Sequence, residues 1–214
     1  IIMGNNFFTL AIGFLAQGFF SARTLIQWTL SERARHVLSP SIFWILSLTG
    51  AYLFCLYGWL KHDFAIIYGQ FISYYVYLWN LKIKGVWKNI PSVIHYILFF
   101  TPIVAILYVL DDVHLFDTSF FRQKDVPLWL IVFGISGQIL FTLRFVYQWI
   151  CSRREGKSIF PVGFWIISLI GSLMIGSYGI IRQDPVLIIG QSFGLVAYTR
   201  NLHIGYYATK QRKS

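Results

Sequence analysis

The sequence predicts an all-α membrane protein in which two copies of a three-helix unit flank one linking helix. Three observations support this prediction. Apolar residues make up 57% of the 214 residues and charged residues only 12%, about half the charged share of a soluble domain. Seven apolar runs approach the length of about 20 residues that a helix needs to cross a bilayer. Finally, residues 13–83 align with 134–204 without a gap and are identical at 25 positions.

The two copies are related by a constant offset of 121 residues. Chance would give about five identities in a stretch of this length and composition. The excess indicates a duplicated unit, and such an internal repeat decides the architecture. The identical pairs include Gln17/Gln138, Arg23/Arg144, Gln27/Gln148, Trp28/Trp149, Trp44/Trp165, Gly50/Gly171, Gln70/Gln191, Tyr77/Tyr198 and Asn80/Asn201.

Run length favours helices over strands, because barrel strands are about ten residues long and alternate in polarity. We predict a first repeat over 7–87, a linker helix with an outer loop over 88–127, and a second repeat over 128–208. A single linking span gives both repeats the same orientation in the membrane, with any binding site expected at their interface. The predicted spans are 7–30, 41–60, 64–81, 93–110, 128–150, 161–181 and 185–205.

The net charge of +10 is explained by membrane topology rather than by nucleic-acid binding. When the loops are assigned alternately to the two sides of seven spans, the basic residues divide eleven to four. This asymmetry follows the positive-inside rule, so we predict an outer N-terminus, a cytoplasmic C-terminus and no nucleic-acid partner. The richer side holds Arg33, Arg35, Lys82, Lys84, Lys88, Arg153, Arg154, Lys157, Lys210, Arg212 and Lys213, and the poorer side holds Lys61, Arg122, Lys124 and Arg182.

The sequence contains no pattern that is typical of a catalytic or metal site. Cys55 and Cys151 lie in apolar stretches on different spans, and the histidines are scattered, which gives no metal-ligand spacing. No nucleophile and base pair and no glycine-rich phosphate loop is present. We therefore expect no catalytic residue, no metal and no cofactor, and catalysis by this chain alone is the least favoured function.

The identical positions of the first span share one face of the helix. At about 100° per residue, these positions fall within an arc of roughly 140°: Gly13, Gln17, Phe20, Arg23, Gln27, Trp28 and Ser31. We expect this face to meet the other repeat or a central cavity, while the variable face meets lipid. Packing between duplicated helices explains Gly13 and Phe20, because small residues are enriched where membrane helices meet.

Arg23 and Arg144 lie about two turns inside the predicted cytoplasmic ends of their spans. An arginine at this depth costs several kcal/mol unless it reaches the interface or binds a partner. Snorkelling to the interface is one explanation. An anionic ligand is the other, because Glu32 is assigned to a loop and no acid is predicted inside a span. We expect Arg23, Arg144 and Arg200 to lack carboxylate partners, and a planar guanidinium suits phosphate or carboxylate.

Further side chains are candidates for contacts with the polar part of a ligand. Eight amides either hold helices together or line a path for sugar hydroxyls, and four tryptophans either anchor the aromatic belt or stack on a sugar. Asp63 and Asp184, in the outer turns, are predicted to cap the third helix of each repeat. The amides are Gln17, Gln27, Gln70, Asn80, Gln138, Gln148, Gln191 and Asn201, and the tryptophans are Trp28, Trp44, Trp149 and Trp165.

The second repeat carries a specific string of motifs: Phe141, Arg144-Phe145, Gln148-Trp149, Pro161, Phe164-Trp165, Ser168, Gly171, Tyr178, Asp184-Pro185, Gly190-Gln191, Tyr198 and Arg200-Asn201-Leu202. This string resembles the lipid A biosynthesis N-terminal domain family, and the resemblance covers both repeats. That family occurs alone or ahead of a lipid A disaccharide synthase domain. It is distantly similar to the PQ-loop and SWEET group of carriers, which implies a three-plus-one-plus-three arrangement of helices.

The chain departs from the family pattern in places. The first repeat has Asp63-Phe64 instead of Asp-Pro and Trp79-Asn80 instead of Arg-Asn. Neither Pro40 nor Pro161 is followed by glutamine, so the dipeptide that names the PQ-loop group is missing. The resemblance implies a link to lipid A and a multi-pass protein of the bacterial inner membrane. It implies no disaccharide synthase activity, because these residues contain no glycosyltransferase domain.

The favoured function is the binding and translocation of an anionic lipid-linked sugar or a polyprenyl-phosphate-type lipid. Arg23 and Arg144 are expected to hold the phosphate, and rocking of the two repeats would alternate access. A second hypothesis is a non-catalytic membrane scaffold that recruits a cytoplasmic glycosyltransferase to its lipid substrate. A third is a SWEET-type carrier of a neutral sugar, for which the two arginines are unexpected.

Overall fold

A computed structural model of the protein describes residues 2–60, 64–111, 127–183 and 185–211. Throughout these residues the regular structure is helical and no strand occurs, which confirms the all-α prediction. The helices are α1 (Ile2–Ala34), α2 (Ser41–Leu60), α3 (Phe64–Ile83), α4 (Ser92–Asp111), α5 (Leu128–Glu155), α6 (Val162–Ile181) and α7 (Pro185–Gln211), with a 3-10 turn at Val86–Asn89 between α3 and α4.

Two helices continue about one turn past the predicted ends of their spans. Helix α1 continues beyond residue 30 to Ala34, and α5 beyond residue 150 to Glu155. Their last turns carry Ser31 and Ser152, whose hydroxyls each accept a hydrogen bond at 3.0 Å from a backbone amide of the following segment. Helix α5 then ends at Gly156, which has the left-handed backbone (φ 65°) common after helices.

Most of the connections predicted to lie on the outer side fall outside the described residues, which omit 61–63, 112–126 and position 184. The predicted capping roles of Asp63 and Asp184 fall there, as do Asp112, Asp117 and Asp125 of the predicted outer loop, whereas Asp111 is the last residue of α4. At the other end of the chain, α7 runs to Gln211, six residues beyond the predicted end of the last span.

The chain forms two compact units whose boundary cuts through α1 and α2. The first unit comprises Ile1–Arg23 and Trp44–Asp125, and the second comprises Thr24–Phe43 and Val126–Ser214. The end of α1 and its connection to α2 thus belong to the same unit as the second sequence repeat. The division at residues 87 and 128 stays a prediction about the repeats.

In the first unit, α1 packs on α2 where glycines allow close approach. A Cβ atom added to Gly13 would lie 2.9 Å from the ring of Tyr57, and one added to Gly50 would lie 2.9 Å from the ring of Phe20. Such distances leave no room for a side chain. The glycines therefore allow aromatic rings of one helix to sit against the backbone of the other.

The second unit repeats these contacts at the same offset of 121 residues. A Cβ atom on Gly134 would lie 2.9 Å from the ring of Tyr178, and one on Gly171 would lie 3.2 Å from the backbone nitrogen of Phe141. Helix α6 packs against both α5 and α7. The identical glycines and aromatic residues thus have the same packing role in both copies.

The segment between α1 and α2 packs on the equivalent segment between α5 and α6, within the second unit. The hydroxyls of Ser39 and Ser158 are hydrogen-bonded at 2.7 Å. The rings of Phe43 and Phe160 meet edge to face with centroids 4.9 Å apart, a favourable aromatic geometry. These contacts bring the basic ends of α1 and α5 to the same end of this unit.

Two of the described helices are long and apolar enough to cross a membrane, namely Leu128–Glu155 and Val162–Ile181. Shorter apolar stretches occur at Ser41–Tyr57 and Ser92–Val104. The arrangement of seven spans stays a prediction.

The packing generates a prediction about stability. Gly134→Ala should lower the free energy of unfolding by about 1–3 kcal/mol, because the new methyl group has to displace the Tyr178 ring. Gly190→Ala is the matched control, because nothing lies within 4 Å of its added Cβ atom and alanine is the better helix former. Thermal unfolding in detergent should show a lower Tm for the first variant alone, and equal Tm values for both would contradict the packing described.

Candidate functional site

Arg23 is buried in the first unit, with 7% of its surface exposed. Its Nη1 atom donates a hydrogen bond of 3.1 Å to the hydroxyl of Tyr77 on α3. Its Cζ atom lies 4.6 Å from the centre of the Phe20 ring and 5.6 Å from that of Tyr77, close enough for cation–π attraction. The guanidinium therefore lies inside the protein between α1 and α3.

Arg144 has the same environment in the second unit, where 3% of its surface is exposed. Its Nη1 atom donates at 3.1 Å to the hydroxyl of Tyr198 on α7. Its Cζ atom lies 3.4 Å from the ring centre of Phe141 and 4.7 Å from that of Phe145. The same cation and the same phenol are thus paired in both copies.

The burial of the two arginines argues against snorkelling, one of the two explanations considered from the sequence, and the anionic ligand stays a prediction. A snorkelling side chain would place its guanidinium in interfacial water, whereas both side chains are almost fully enclosed. Aromatic rings and phenol oxygens surround them, and such groups stabilise a cation only in part. The geometry is that of a buried cationic site with planar donors, which is suited to phosphate or carboxylate.

Gln27 and Gln148 tie the end of α1 or α5 to the segment that follows. The Nε2 atom of Gln27 lies 2.9 Å from the Ser31 hydroxyl and 3.3 Å from the Leu38 carbonyl. In the second copy, Gln148 makes the corresponding contacts at 2.8 Å and 2.9 Å. Both side chains are fully buried. Holding the chain together is therefore an observed role of these amides.

Gln27 also joins the two sequence repeats within the second unit. Its Nε2 atom lies 2.9 Å from Oδ1 of Asn201 on α7. Asn201 in turn donates to the Ala197 carbonyl at 2.9 Å, and Asn80 donates to the Val76 carbonyl at the same distance. Both asparagines are fully buried, so the pair of Gln27 and Asn201 is an interior polar contact between α1 and α7.

The other predicted amides lie nearer the surface. Gln17 and Gln138 are exposed, whereas Gln70 and Gln191 are partly exposed. The hydroxyl of Ser172 donates to Oε1 of Gln191 at 2.6 Å. These four side chains do not join the buried set formed by Arg23, Arg144, Gln27, Gln148, Asn80 and Asn201.

The aromatic-belt interpretation is wrong for two of the four tryptophans. Trp44 and Trp165 are buried within the protein, and their ring centres lie 6.0 Å and 6.1 Å from those of Tyr77 and Tyr198. They are packed on the phenols that contact the arginines, because the aromatic faces of α2 and α6 point inward. Trp28 and Trp149 remain partly exposed, as expected of interfacial residues.

The expectation that Arg200 lacks a carboxylate partner is wrong. Arg200 forms a two-pronged ion pair with Glu32, in which Nε donates to Oε2 at 2.8 Å and Nη2 donates to Oε1. Glu32 was assigned to a loop, but α1 extends past it and carries it to α7. Both side chains are exposed, so this pair lies at the surface of the second unit, outside the buried set.

Gln27 and Trp165 each have a buried polar atom without a hydrogen-bond partner among the described residues. These atoms are the carbonyl oxygen Oε1 of Gln27 and the indole nitrogen Nε1 of Trp165. Buried amide and indole groups nearly always find a partner in folded proteins. Sequence reasoning named both residues but could not identify these atoms, because their surroundings depend on tertiary packing.

Sequence reasoning missed the phenols that contact the arginines. Tyr77 and Tyr198 were among the identical positions, as were Ser31 and Ser152, yet none was assigned a role. The available signal was the identity of these polar residues between the two copies, which does not show that they contact the arginines.

An apolar groove of about 410 Å³ lies between α2, α3 and α4 in the first unit. Pro102 in α4 cannot donate to the Leu98 carbonyl, and the Tyr74 hydroxyl donates to that carbonyl at 2.8 Å instead. This contact fixes α4 against α3. The lining carries no charged side chain and consists of Tyr52, Cys55, Leu56, Trp59, Phe71, Tyr74, Ile97, Phe100, Thr101, Pro102 and Val104.

The described residues offer no metal site, since no group of three or more His, Cys, Asp or Glu side chains gathers among them. The arginines and amides of the buried set, together with the phenols of Tyr77 and Tyr198, are hydrogen-bond donors and neutral acceptors. This chemistry is suited to binding an anion.

Comparison with known proteins gives matches over both repeats. A family model described as the Lipid A Biosynthesis N-terminal domain matches residues 12–82 and 133–203, two segments separated by the same 121 residues as the sequence repeat. No solved structure matches the chain significantly.

The curated relatives that match are named lipid-A-disaccharide synthase. The protein from Chlamydia felis is 31% identical over 91% of this chain, and that from Chlamydia pneumoniae is 30% identical over 91%. The protein from Chlamydia trachomatis serovar D is 24% identical over 90%. In each case the match covers 33% of the relative, so the chain spans about one third of the length of these proteins.

The ion pair of Glu32 and Arg200 generates a prediction about pH. The hydrogen bonds from Arg200 lower the pKa of Glu32 from 4.5 to about 2. Because the folded pKa is below the unfolded one, the stabilisation is complete above pH 4.5 and is lost as the pH falls towards 2. Wild-type protein should therefore have a slightly higher Tm than Glu32→Gln at pH 7, and the difference should vanish near pH 2.

Arg200→Gln is the matched variant for this measurement and should show the same dependence, since it removes the other half of the pair. The effect should be small because exposed ion pairs contribute little. A Tm difference that persists unchanged down to pH 2 would contradict this account of the pair.

Proposed function

The chain belongs to the Lipid A Biosynthesis N-terminal domain family, and from this membership and the buried arginines we propose that it binds an anionic lipid in the bacterial inner membrane. The ligand we propose is a lipid-linked sugar or a polyprenyl-phosphate-type lipid used in making or modifying lipid A. We further propose that the protein moves this headgroup across the membrane.

The distribution of polar and apolar residues supports the membrane location. Large apolar side chains are exposed along the helices, including Phe14, Ile97, Leu107, Leu173 and Ile189. Arg23, Arg144 and several amides are buried instead. This reverses the usual arrangement of a water-soluble protein and suits helices whose outer faces contact lipid. The proposal retains seven spans in a three-plus-one-plus-three order, with a cytoplasmic C-terminus.

The proposal of an anionic ligand rests on one observation, the matched pair of buried guanidinium groups. Each lies at 3.1 Å from a phenol and within a cage of aromatic rings. Each guanidinium is a planar fork of N–H donors, and charge-assisted hydrogen bonds from such a fork to phosphate oxygens are strong. The adjacent phenol can rotate its own hydroxyl hydrogen to donate to the same anion.

Translocation is proposed from the duplication. Two parallel repeats can rock against each other around a site at their interface, as in other carriers built from repeats. The two copies share internal contacts, from the glycine packing to the arginine–tyrosine pairs, which supports a duplicated unit of the kind such carriers use.

The experiment for this proposal is a lipid-binding assay. Purified protein in nanodiscs should bind polyprenyl phosphate, and Arg23→Gln combined with Arg144→Gln should weaken the binding at least tenfold, about 1.4 kcal/mol. Native mass spectrometry of the released complex measures the bound fraction. The matched control is Arg153→Gln combined with Arg154→Gln, which removes two exposed cations and the same net charge.

The control pair should lose less affinity than the buried pair, because exposed charges attract the headgroup only through screened electrostatics. Equal affinity of wild-type protein and the Arg23 and Arg144 double variant would reject the proposed site. Circular dichroism and gel filtration of each variant establish that the fold is retained.

A second candidate function is a membrane scaffold for a glycosyltransferase. The relatives named lipid-A-disaccharide synthase are about three times as long as the matched region, and exposed basic residues at the ends of α1 and α5 offer a charged docking surface. These are Arg33, Arg35, Arg153, Arg154 and Lys157. Co-purification with lipid-A-disaccharide synthase of the same cell, lost on charge reversal of this surface, would favour the scaffold, and recovery of no transferase would count against it.

A further inference from the structure

Tyr198 and Asn201 place two polar contacts side by side on α7. They are three residues apart, so they lie on the same face of the helix, one turn from each other. Arg144 donates to Tyr198 and Gln27 contacts Asn201, and all four residues belong to the second compact unit. We call Gln27, Arg144, Trp165, Tyr198 and Asn201 the α7 seam.

The seam contains a donor that has no acceptor. Trp165 is 2% exposed, and its ring centre lies 6.1 Å from that of Tyr198. Its Nε1–H group is buried without a hydrogen-bond partner among the described residues. The indole packs on the phenol that receives the Arg144 hydrogen bond, so Tyr198 is a neighbour of both N–H donors. Such a set of donors suits the oxygens of an anion.

The seam also contains an acceptor that has no donor. Gln27 is fully buried, and its Nε2 atom faces three acceptors, on Ser31, Leu38 and Asn201. Its Oε1 atom has no hydrogen-bond partner among the described residues. Exchanging the two ends of the amide would not solve this problem, because the oxygen would then face the carbonyl oxygens of Leu38 and Asn201. A hydroxyl group is the simplest donor for Oε1.

We infer that the α7 seam recognises a glycosyl phosphate, which combines both requirements in one headgroup. The phosphate oxygens accept from Arg144 and Trp165, and a sugar hydroxyl donates to Oε1 of Gln27. This inference rests on the proposed function and names its substrate class as a glycosylated phosphate lipid rather than a bare one.

Binding requires the seam to open, because both unpartnered atoms are buried. Separation of the end of α1 from α7 breaks the contact between Gln27 and Asn201. That step exposes one amide on each helix, and both are able to bond sugar hydroxyls. Hydrogen bonds from the ligand replace the one between Gln27 and Asn201. Ligand binding therefore accompanies the separation of α1 from α7.

The test compares three probes in nanodiscs: polyprenyl phosphate, polyprenyl phosphate hexose and a neutral hexosyl diacylglycerol. Wild-type protein should bind the hexosyl phosphate about tenfold tighter than the bare phosphate, a difference typical of one or two added hydrogen bonds. The neutral glycolipid should bind weakest, since it lacks the anion. Titration followed by native mass spectrometry gives the three affinities.

Two variants test which residues bind the sugar and which bind the phosphate. Gln27→Met should abolish the preference for the hexosyl phosphate over the bare phosphate, and Trp165→Phe should weaken binding of both phosphate probes. Gln148→Met and Trp44→Phe delete the equivalent groups of equally buried residues. They measure the loss of packing and of internal hydrogen bonds, because neither residue has a buried side-chain atom without a partner.

The outcomes distinguish this inference from the proposed function. Equal binding of bare and glycosylated phosphate by wild-type protein overturns the inference and leaves the anionic site standing. Loss of preference in Gln148→Met as large as in Gln27→Met also overturns it. Absence of binding to every phosphate probe rejects both proposals. If Gln27→Met does not fold, the affinities of wild-type protein for the three probes still test the inference.

Discussion

A buried guanidinium hydrogen-bonded to a phenol is the interaction on which the rest of this structure depends. Arg23 with Tyr77, and Arg144 with Tyr198, each join the first helix of a repeat to the third at 3.1 Å. A cation cannot stay buried unless its surroundings are fixed. Two sets of contacts fix these surroundings. The glycines set how closely the helices approach each other, and the hydrogen bonds of Gln27 and Gln148 hold the ends of α1 and α5.

Most of the helix bounds follow from hydropathy, because the helices occupy the apolar runs of the sequence. The bounds of α2, α3 and α4 therefore agree with prediction within about two residues. The extra turns of α1 and α5 were missed, since polar residues there resemble a loop. Only the tertiary contacts from Gln27 and Gln148 to Leu38 and Ile159 show why those turns are helical. The inclusion of the end of α1 in the second compact unit depends on the same kind of contact.

The candidate site could be predicted in part. Identity between the repeats, together with a charge inside an apolar run, selected Arg23 and Arg144, and burial agrees with that choice. Partners distant in sequence could not be predicted: Glu32 reaches Arg200 across 168 residues. Composition likewise cannot tell a tryptophan at the lipid interface from one packed on a buried phenol, as Trp165 is. These failures concern which residues contact each other in the folded protein rather than which residues were chosen as site candidates.

The central claim is that the buried arginines hold a lipid phosphate. Solid-state NMR tests it most directly, through the dipolar coupling between ¹⁵N-labelled arginine side chains and the ³¹P nucleus of a bound polyprenyl phosphate. The account predicts dephasing of guanidinium nitrogen signals by phosphorus in wild-type protein, and its loss when Arg23 and Arg144 are both replaced by glutamine. Dephasing that survives this replacement, or none in wild-type protein at saturating lipid, would contradict the account.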